Sequence, residues 1–275
     1  MISCKDYVAI QKKELKDKVS TFERKPKLCV VQIGNDQASN VYVRNKQKVC
    51  EEIGIEFNHV HIEDYENLSQ LGLEAKLELL STSNDGVILQ LPVPNKYDVE
   101  DLQKSISREK DVDGFRPDSC FKSCTPKGII DWLKYNDYKF TGKDVVVIGR
   151  SKIVGKPLVN MLIDEGATVT CCNSKSLIGC YIDNAELIIS AIGKPKYFDS
   201  SFSWRHAEII VDVGINTDEN GKLCGDIDKD DVEDCCKEIY YTTPYITPVP
   251  NGVGILTVIT LMKNVIESYE LQNEK

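Results

Sequence analysis

Tyr42 and Lys46 stand four residues apart in Ser39-Asn-Val-Tyr-Val-Arg-Asn-Lys46. On a helix that spacing puts both side chains on one face, about 40° apart around the axis. A lysine beside a tyrosine can exchange protons if burial lowers its pKa, or it can polarise a bound water. A solvated helix lysine would show the same spacing. Gln90 closes the apolar run Gly86–Leu89, at the strand end where open α/β sheets place their ligand crevices. A glutamine there can hold a water or orient a lysine, or simply cap the strand. Asp113 in Asp111-Val-Asp-Gly-Phe115 offers a carboxylate able to accept paired hydrogen bonds from an amino-pyrimidine edge. An aspartate before glycine is also an ordinary turn residue.

A second group of residues reads as a phosphate cradle. Asp144–Ile148 is an apolar strand running into Gly149-Arg-Ser-Lys-Ile-Val-Gly155-Lys-Pro157, then a helix to about Glu165, Gly166 and a second strand from Ala167. Gly149 permits a tight exit from the strand, and Gly155 removes a side chain where phosphate approaches the helix N-terminus. The spacing is not GxGxxG, so the strand–turn–helix–strand context carries the reading. A structural βα turn would use the same glycines. The second strand ends in Cys172-Asn-Ser174-Lys175, without the carboxylate that binds a ribose 2′-hydroxyl in NAD sites. Ser174, Lys175 and the guanidinium fork of Arg150 suit a 2′-phosphate instead. NADP is therefore favoured over NAD.

The elements that must position these residues alternate as in parallel α/β folds. Strands are predicted at Leu28–Ile33, Glu56–His61 and Gly86–Leu89, with helices at Ser39–Ile53, closed by Gly54, and at Leu71–Leu80. On the first of these helices Val41, Val49 and Ile53 are expected in the core, opposite Lys46. A helix around Lys127–Lys134 opens a second set, with strands Val145–Ile148, Thr168–Cys172, Leu187–Ala191 and Ile209–Val213. Asn220-Gly221 marks a tight turn, Pro244–Gly254 reads as loop, and Leu256–Tyr269 as a last helix. The expected fold class is two α/β lobes with a cleft between them, the C-terminal lobe a Rossmann-type NADP-binding domain.

Composition sets the limits. The chain has 275 residues with 34 basic and 43 acidic side chains, net −9, which disfavours a nucleic-acid footprint. A few lysines in a cleft can still draw an anionic small substrate. Met1–Ile10 carries Lys5 and Asp6, so no signal peptide is expected, and no apolar run is long enough to span a membrane. The 11 cysteines then read as free thiols of a cytoplasmic protein. No CxxC occurs, and His59, His61 and His206 form no metal motif; the first two share a strand face. No metal is expected.

Several ordered motifs together resemble the bifunctional methylenetetrahydrofolate dehydrogenase/methenyltetrahydrofolate cyclohydrolase family across nearly the whole chain. They are Tyr42-Val-Arg-Asn-Lys46 with its continuation to Gly54, Asp85–Pro94, Lys110–Phe115, Cys124-Thr-Pro-Lys-Gly128, Val147–Pro157, Val211–Asn216, Gly225-Asp226 and Tyr245–Pro250. The resemblance implies that Lys46 is the catalytic lysine, Gln90 its partner, Tyr42 a residue packing on the folate and Asp113 the anchor of the pterin ring. Ser39 becomes a polar neighbour of that site, and Pro250 and Gly252 belong to a loop lining it. Arg150 and Ser174 align with contacts to the 2′-phosphate of NADP; Gly149, Ser151, Gly155 and Ile215 complete the cofactor contacts. The family also implies a homodimer, and a last helix returning to the N-terminal lobe: domains 1–119 plus 256–275 for folate, 120–255 for NADP. Enzymes keeping only the dehydrogenase step lack the lysine–glutamine pair, so its presence implies both activities.

The chain departs from the family pattern in two places. Asp-Gly-Lys near the N-terminus reads Ser3-Cys4-Lys5, and Pro-Gly-Gly-Val-Gly-Pro reads Pro250-Asn251-Gly252-Val253-Gly254-Ile255. Asparagine is the least costly replacement for a glycine at positive φ, while loss of proline at 255 frees a backbone donor and loosens the loop. Folate affinity and the balance of the two activities depend on this loop. The alternatives are a dehydrogenase-only folate enzyme, another NAD(P)-dependent oxidoreductase of the same two-lobed plan acting on an amino acid or shikimate-like acid, and a nonenzymatic nucleotide sensor. The last has no use for a lysine in a cleft.

Overall fold

The computed structural model describes residues 1–273. Two compact units emerge, one built from Ala9–Cys124 with the chain from Val258 on, the other from Met1–Val8 with Thr125–Thr257. The chain crosses between them after Val8, Cys124 and Thr257.

In the 9–124 unit, α1 (Cys4–Val19) leads to β1 (Lys27–Ile33), α2 (Gln37–Ile53), β2 (Glu56–Ile62), α3 (Gln70–Ser83), β3 (Gly86–Gln90) and the short α4 (Val99–Lys104). The strands form a parallel sheet in the order β2-β1-β3. Because β1 is central and covered on both faces, its middle Leu28–Val31 is apolar throughout, as is Val87–Leu89 of the fully buried β3. At the sheet edge β2 is mostly exposed, and the rings of His59 and His61 stack there at 5.3 Å. Cys29, Val31, Ile33, Leu73, Leu77, Val87 and Leu89 join in one core cluster.

The 125–257 unit runs through α5 (Cys124–Tyr135), β4 (Asp144–Ile148), α6 (Gly155–Asp164), β5 (Thr168–Cys172), α7 (Ile178–Ile182), β6 (Leu187–Ser190) and β7 (Ile209–Asp212). After these come the hairpin β8 (Asn216–Thr217) and β9 (Leu223–Cys224), α8 (Lys229–Cys235), a π-helical turn Cys236–Tyr240, β10 (Tyr245–Ile246) and α9 (Val253–Asn273). The main sheet is parallel, ordered β10-β7-β6-β4-β5. Phe198, Trp204, Ile188 and Ile210 anchor its core.

Three differences from the sequence reading have clear causes. First, α1 is a helix rather than an unassigned leader; Cys4, Tyr7, Val8, Gln11, Leu15 and Val19 are buried, a stripe at helical spacing. Second, Tyr245–Ile246 pairs with β7 inside the stretch expected to be loop. Third, Val41 is exposed and the buried stripe of α2 is Ser39, Val43, Lys46, Cys50 and Ile53. Lys46 therefore lies on the inward face of its helix. Val41 is not core, because the helix is rotated so that its polar Ser39–Lys46 row faces the sheet.

Candidate active site

The lysine is placed by a helix fixed at both ends. Asp36 caps α2 by accepting from the Ser39 N–H at 2.8 Å, and Gly54 closes it in the left-handed region at φ +99°, where glycine is unstrained. Between these caps Lys46 is only 8% exposed. Its Nζ donates to Gln90 Oε1 at 3.0 Å. Gln90 in turn donates from Nε2 to the Leu91 carbonyl at 2.8 Å, which fixes the amide so that its oxygen faces the lysine. The Ser39 hydroxyl donates to the same carbonyl at 3.2 Å. Gln90 sits at the carboxyl end of β3 in register with Gln32, and the chain leaves through the cis Leu91–Pro92 bond. One of the three ammonium donors is spent on Gln90; the remainder can meet water or a substrate atom.

Asp113 is buried. Burial raises its pKa, opposed first by the charge of Lys46 and then by a hydrogen bond from the Cys124 thiol. The loop carrying it is held tightly. Cys124 N–H donates to the Asp113 carbonyl at 3.2 Å, and the Val112 carbonyl accepts from Cys124 Sγ at 3.2 Å and from Asn264 Nδ2 at 2.8 Å. A side chain at Gly114 would come within 2.6 Å of the Lys122–Ser123 backbone. Tyr42, one turn before Lys46, is half-buried, and desolvation raises its phenol pKa. Lys46 and Gln90 are thus in direct contact, Ser39 joins them through Leu91, and Asp113 feels the lysine's charge.

The second group occupies the carboxyl ends of β4, β5, β6 and β7 in the 125–257 unit. Gly149 has φ +118°, and a Cβ there would lie 2.4 Å from the Ala191 carbonyl oxygen. A Cβ on Gly155 would lie 2.1 Å from the Gly149 carbonyl. Both positions admit only glycine, and together they draw the turn tight against the first residues of α6. The Ser151 hydroxyl accepts from the Val154 and Gly155 N–H groups at 3.1 and 3.3 Å. Arg150 donates from Nη2 to the Cys171 carbonyl at 3.0 Å, bringing its guanidinium to the end of β5. There Ser174 and Lys175 are exposed in a turn tied by Asn173 and Ser176. Ile215 is 46% exposed, and a Cβ on Gly254 would lie 3.5 Å from its Cδ1.

Pro250 follows a cis bond and is exposed, while Gly252 is buried with no room for a Cβ beside the Pro248 carbonyl. Asn251 has φ +74°, the conformation in which asparagine best replaces glycine. The N–H freed at Ile255 donates to the Gly252 carbonyl at 3.3 Å, so the donor gained by losing proline is used.

Sequence reasoning assigned no role to the thiol of Cys124, to Asn264 or to the buried pair Asp212 and Asp226. The pair occurs within family motifs, and an aspartate ending an all-apolar strand was its visible signal. Burial pushes Asp212 up to about 6, against hydrogen bonds from the Asp226 and Ile227 N–H groups, with the charge of Asp226 adding to the rise. Among the described residues no group of His, Cys, Asp or Glu is arranged to hold a metal ion, and no helix is long and apolar enough to cross a membrane.

A parallel-sheet unit with a glycine-bounded βα turn, and an α/β unit presenting a buried lysine at a strand end, define a nucleotide-dependent α/β enzyme. Residues 2–113 match the model of the tetrahydrofolate dehydrogenase/cyclohydrolase catalytic domain, and residues 123–273 that of its NAD(P)-binding domain. The bifunctional protein FolD of Agathobacter rectalis is 41% identical over 271 residues, covering 94% of each chain. The solved FolD of Campylobacter jejuni superposes with a TM-score of 0.89 at 37% identity, covering 98% of each. That of Trypanosoma brucei, complexed with NADP cofactor and inhibitor, gives 0.88 at 27% identity, covering 100% of this chain and 98% of its own. The chain belongs to the tetrahydrofolate dehydrogenase/cyclohydrolase family. It is an enzyme that oxidises 5,10-methylenetetrahydrofolate to the methenyl form and hydrolyses that to 10-formyltetrahydrofolate.

Proposed function

We propose that Lys46 performs the ring-opening step, with Gln90 orienting it, Asp113 anchoring the pterin and Tyr42 packing on it. The observation that carries this reading is the buried Lys46 Nζ held 3.0 Å from Gln90 Oε1. A methenyl carbon is electron-poor and open to water. A lysine with N–H bonds to spare can position that water and move protons as the tetrahedral adduct collapses. The Asp113 carboxylate can accept two parallel N–H bonds from the pterin edge, which fixes the ring in one register. Ser39, on the same helix as Lys46, adds a polar folate contact.

The dinucleotide is NADP. Gly149, Ser151 and Gly155 fit its pyrophosphate, because the two glycines allow the close backbone packing that draws the turn against the N-terminus of α6. Ile215 contacts the cofactor, and Arg150 with Ser174 receives the 2′-phosphate, with Lys175 next in the chain. When bound, NADP supplies the hydride acceptor; that step asks of the protein alignment rather than an acid or base. The unit of Ala9–Cys124 with the chain from Val258 serves folate, and that of Met1–Val8 with Thr125–Thr257 serves NADP. The enzyme acts as a homodimer in the cytoplasm.

Purified protein given methylenetetrahydrofolate and either NADP or NAD tests the reading. NADP should be reduced in preference, without build-up of methenyl absorbance. Lys46→Met should leave cofactor reduction within a few-fold of normal while the methenyl form accumulates. Equal loss of both steps contradicts the role given to Lys46.

A further inference from the structure

The carboxylate of Asp226 is fully buried and gathers four donors from separate stretches of chain. Its Oδ2 accepts from the Ser190 hydroxyl and the Ile192 N–H, both at 2.8 Å. Its Oδ1 accepts from the Lys194 N–H at 2.9 Å and from Asn216 Nδ2 at 3.0 Å. The residue itself is seated on a second buried carboxylate. Asp212 Oδ1 accepts from the Asp226 and Gly214 N–H groups at 3.0 Å each, and Oδ2 from the Ile227 N–H at 2.9 Å. Burying a carboxylate is costly unless such donors surround it. Five of the seven donors are backbone N–H groups, which an apolar side chain would leave unpaired, so the two carboxylates tie main chain to main chain.

The donors show what the pair holds. Ser190 and Ile192 flank Ala191, whose carbonyl oxygen packs against Gly149 of the phosphate turn and whose N–H donates to Ile148 at 2.8 Å. Gly214 and Asn216 flank Ile215. A Cβ on Gly214 would lie 2.2 Å from Asp226 Oδ1, so that glycine is pressed directly onto the carboxylate. Asp226 therefore holds the residues on either side of Ala191 and the one after Ile215, while Asp212 holds Gly214 before it.

We propose that Asp226, seated on Asp212, is the positioning residue of the dinucleotide site, fixing the strand-end loops that carry Ala191 and Ile215 at the distance NADP requires. This rests on reading the 125–257 unit as the NADP-binding one. The requirement is for a carboxylate specifically. All four partners donate, and an asparagine would turn an N–H₂ group toward two of them.

The test is direct NADP binding by calorimetry, beside ring opening of methenyltetrahydrofolate, which consumes no dinucleotide. Asp226→Asn should weaken NADP binding on the order of tenfold or more, raising KM for NADP and leaving KM for methenyltetrahydrofolate where it was. Gly214→Ala provides a second route: its backbone tolerates alanine, but the new methyl displaces the carboxylate, so the same selective loss is expected. Wild-type affinity for NADP in both variants overturns the proposal. So does a parallel fall of NADP binding and ring opening in Gly214→Ala, which would mark a merely structural pair. Failure of the wild-type protein itself to bind NADP would instead sink the reading of the whole unit.

Discussion

The buried carboxyl of Asp113 answers to two opposing influences. Desolvation raises the Asp113 pKa while the Lys46 charge lowers it. The form that grips a pterin edge is the carboxylate, so folate binding should weaken as pH falls through the folded-state pKa of Asp113. Removing the lysine removes the lowering influence, and the pKa climbs further. In Lys46→Met the acid limb of the binding profile for a stable tetrahydrofolate analogue should therefore move to higher pH. A titration by calorimetry from the ordinary aspartate range upward reads this directly. An unmoved limb, or one displaced downward, contradicts the coupling. The lysine–tyrosine spacing and Gln90 were legible as candidates because they needed only a helix period and a strand end. Which face of the helix points inward was not legible. Ser39, Val43 and Lys46 make a mixed stripe, and Val41 with Val49 offers a rival apolar one. Cys124, Asn264 and Asp226 act through partners distant in sequence, so no local pattern reveals them.

Among the elements, α2 carries the most functional weight. It holds Ser39, Tyr42 and Lys46, and its rotation decides whether the lysine meets Gln90. Its start depends on Asp36, whose carboxylate accepts the Ser39 N–H and is lowered in pKa chiefly by that bond. Asp36→Ala should lower the urea midpoint, as loss of a helix cap does. Fraying of the first turn should also raise KM for the folate substrate, since Ser39 belongs to that turn. An unchanged midpoint would show that another acceptor takes over the Ser39 N–H. The strands of both sheets were legible because central parallel strands must be apolar on both faces. The short β10 was not; two residues become a strand only through their partner β7. The helical stripe of α1 was present in the sequence but weak, since charged residues separate its apolar positions.

Over the whole chain, each unit has its own sheet and core, and each candidate site lies within one of them. Ligands should therefore protect different amides. A bound ligand stabilises the state that binds it by RT ln(1 + [L]/Kd), about 2.7 kcal/mol at a hundredfold excess over Kd, and the slowing of amide exchange is greatest where local opening is the route. NADP alone should slow exchange in peptides covering 149–155, 190–194 and 214–216. A tetrahydrofolate analogue alone should slow it around 36–54, 86–93 and 111–124. The two patterns follow from where the hydrogen bonds lie: the Asp226 donors in the first set, the Lys46–Gln90–Leu91 chain and the clamped Asp113 loop in the second. Hydrogen exchange read by mass spectrometry separates these peptides. If NADP protected the Lys46 peptides and left 190–194 and 214–216 unaltered, the assignment of ligands to units would be reversed, and the roles of Lys46 and Asp226 would fall together.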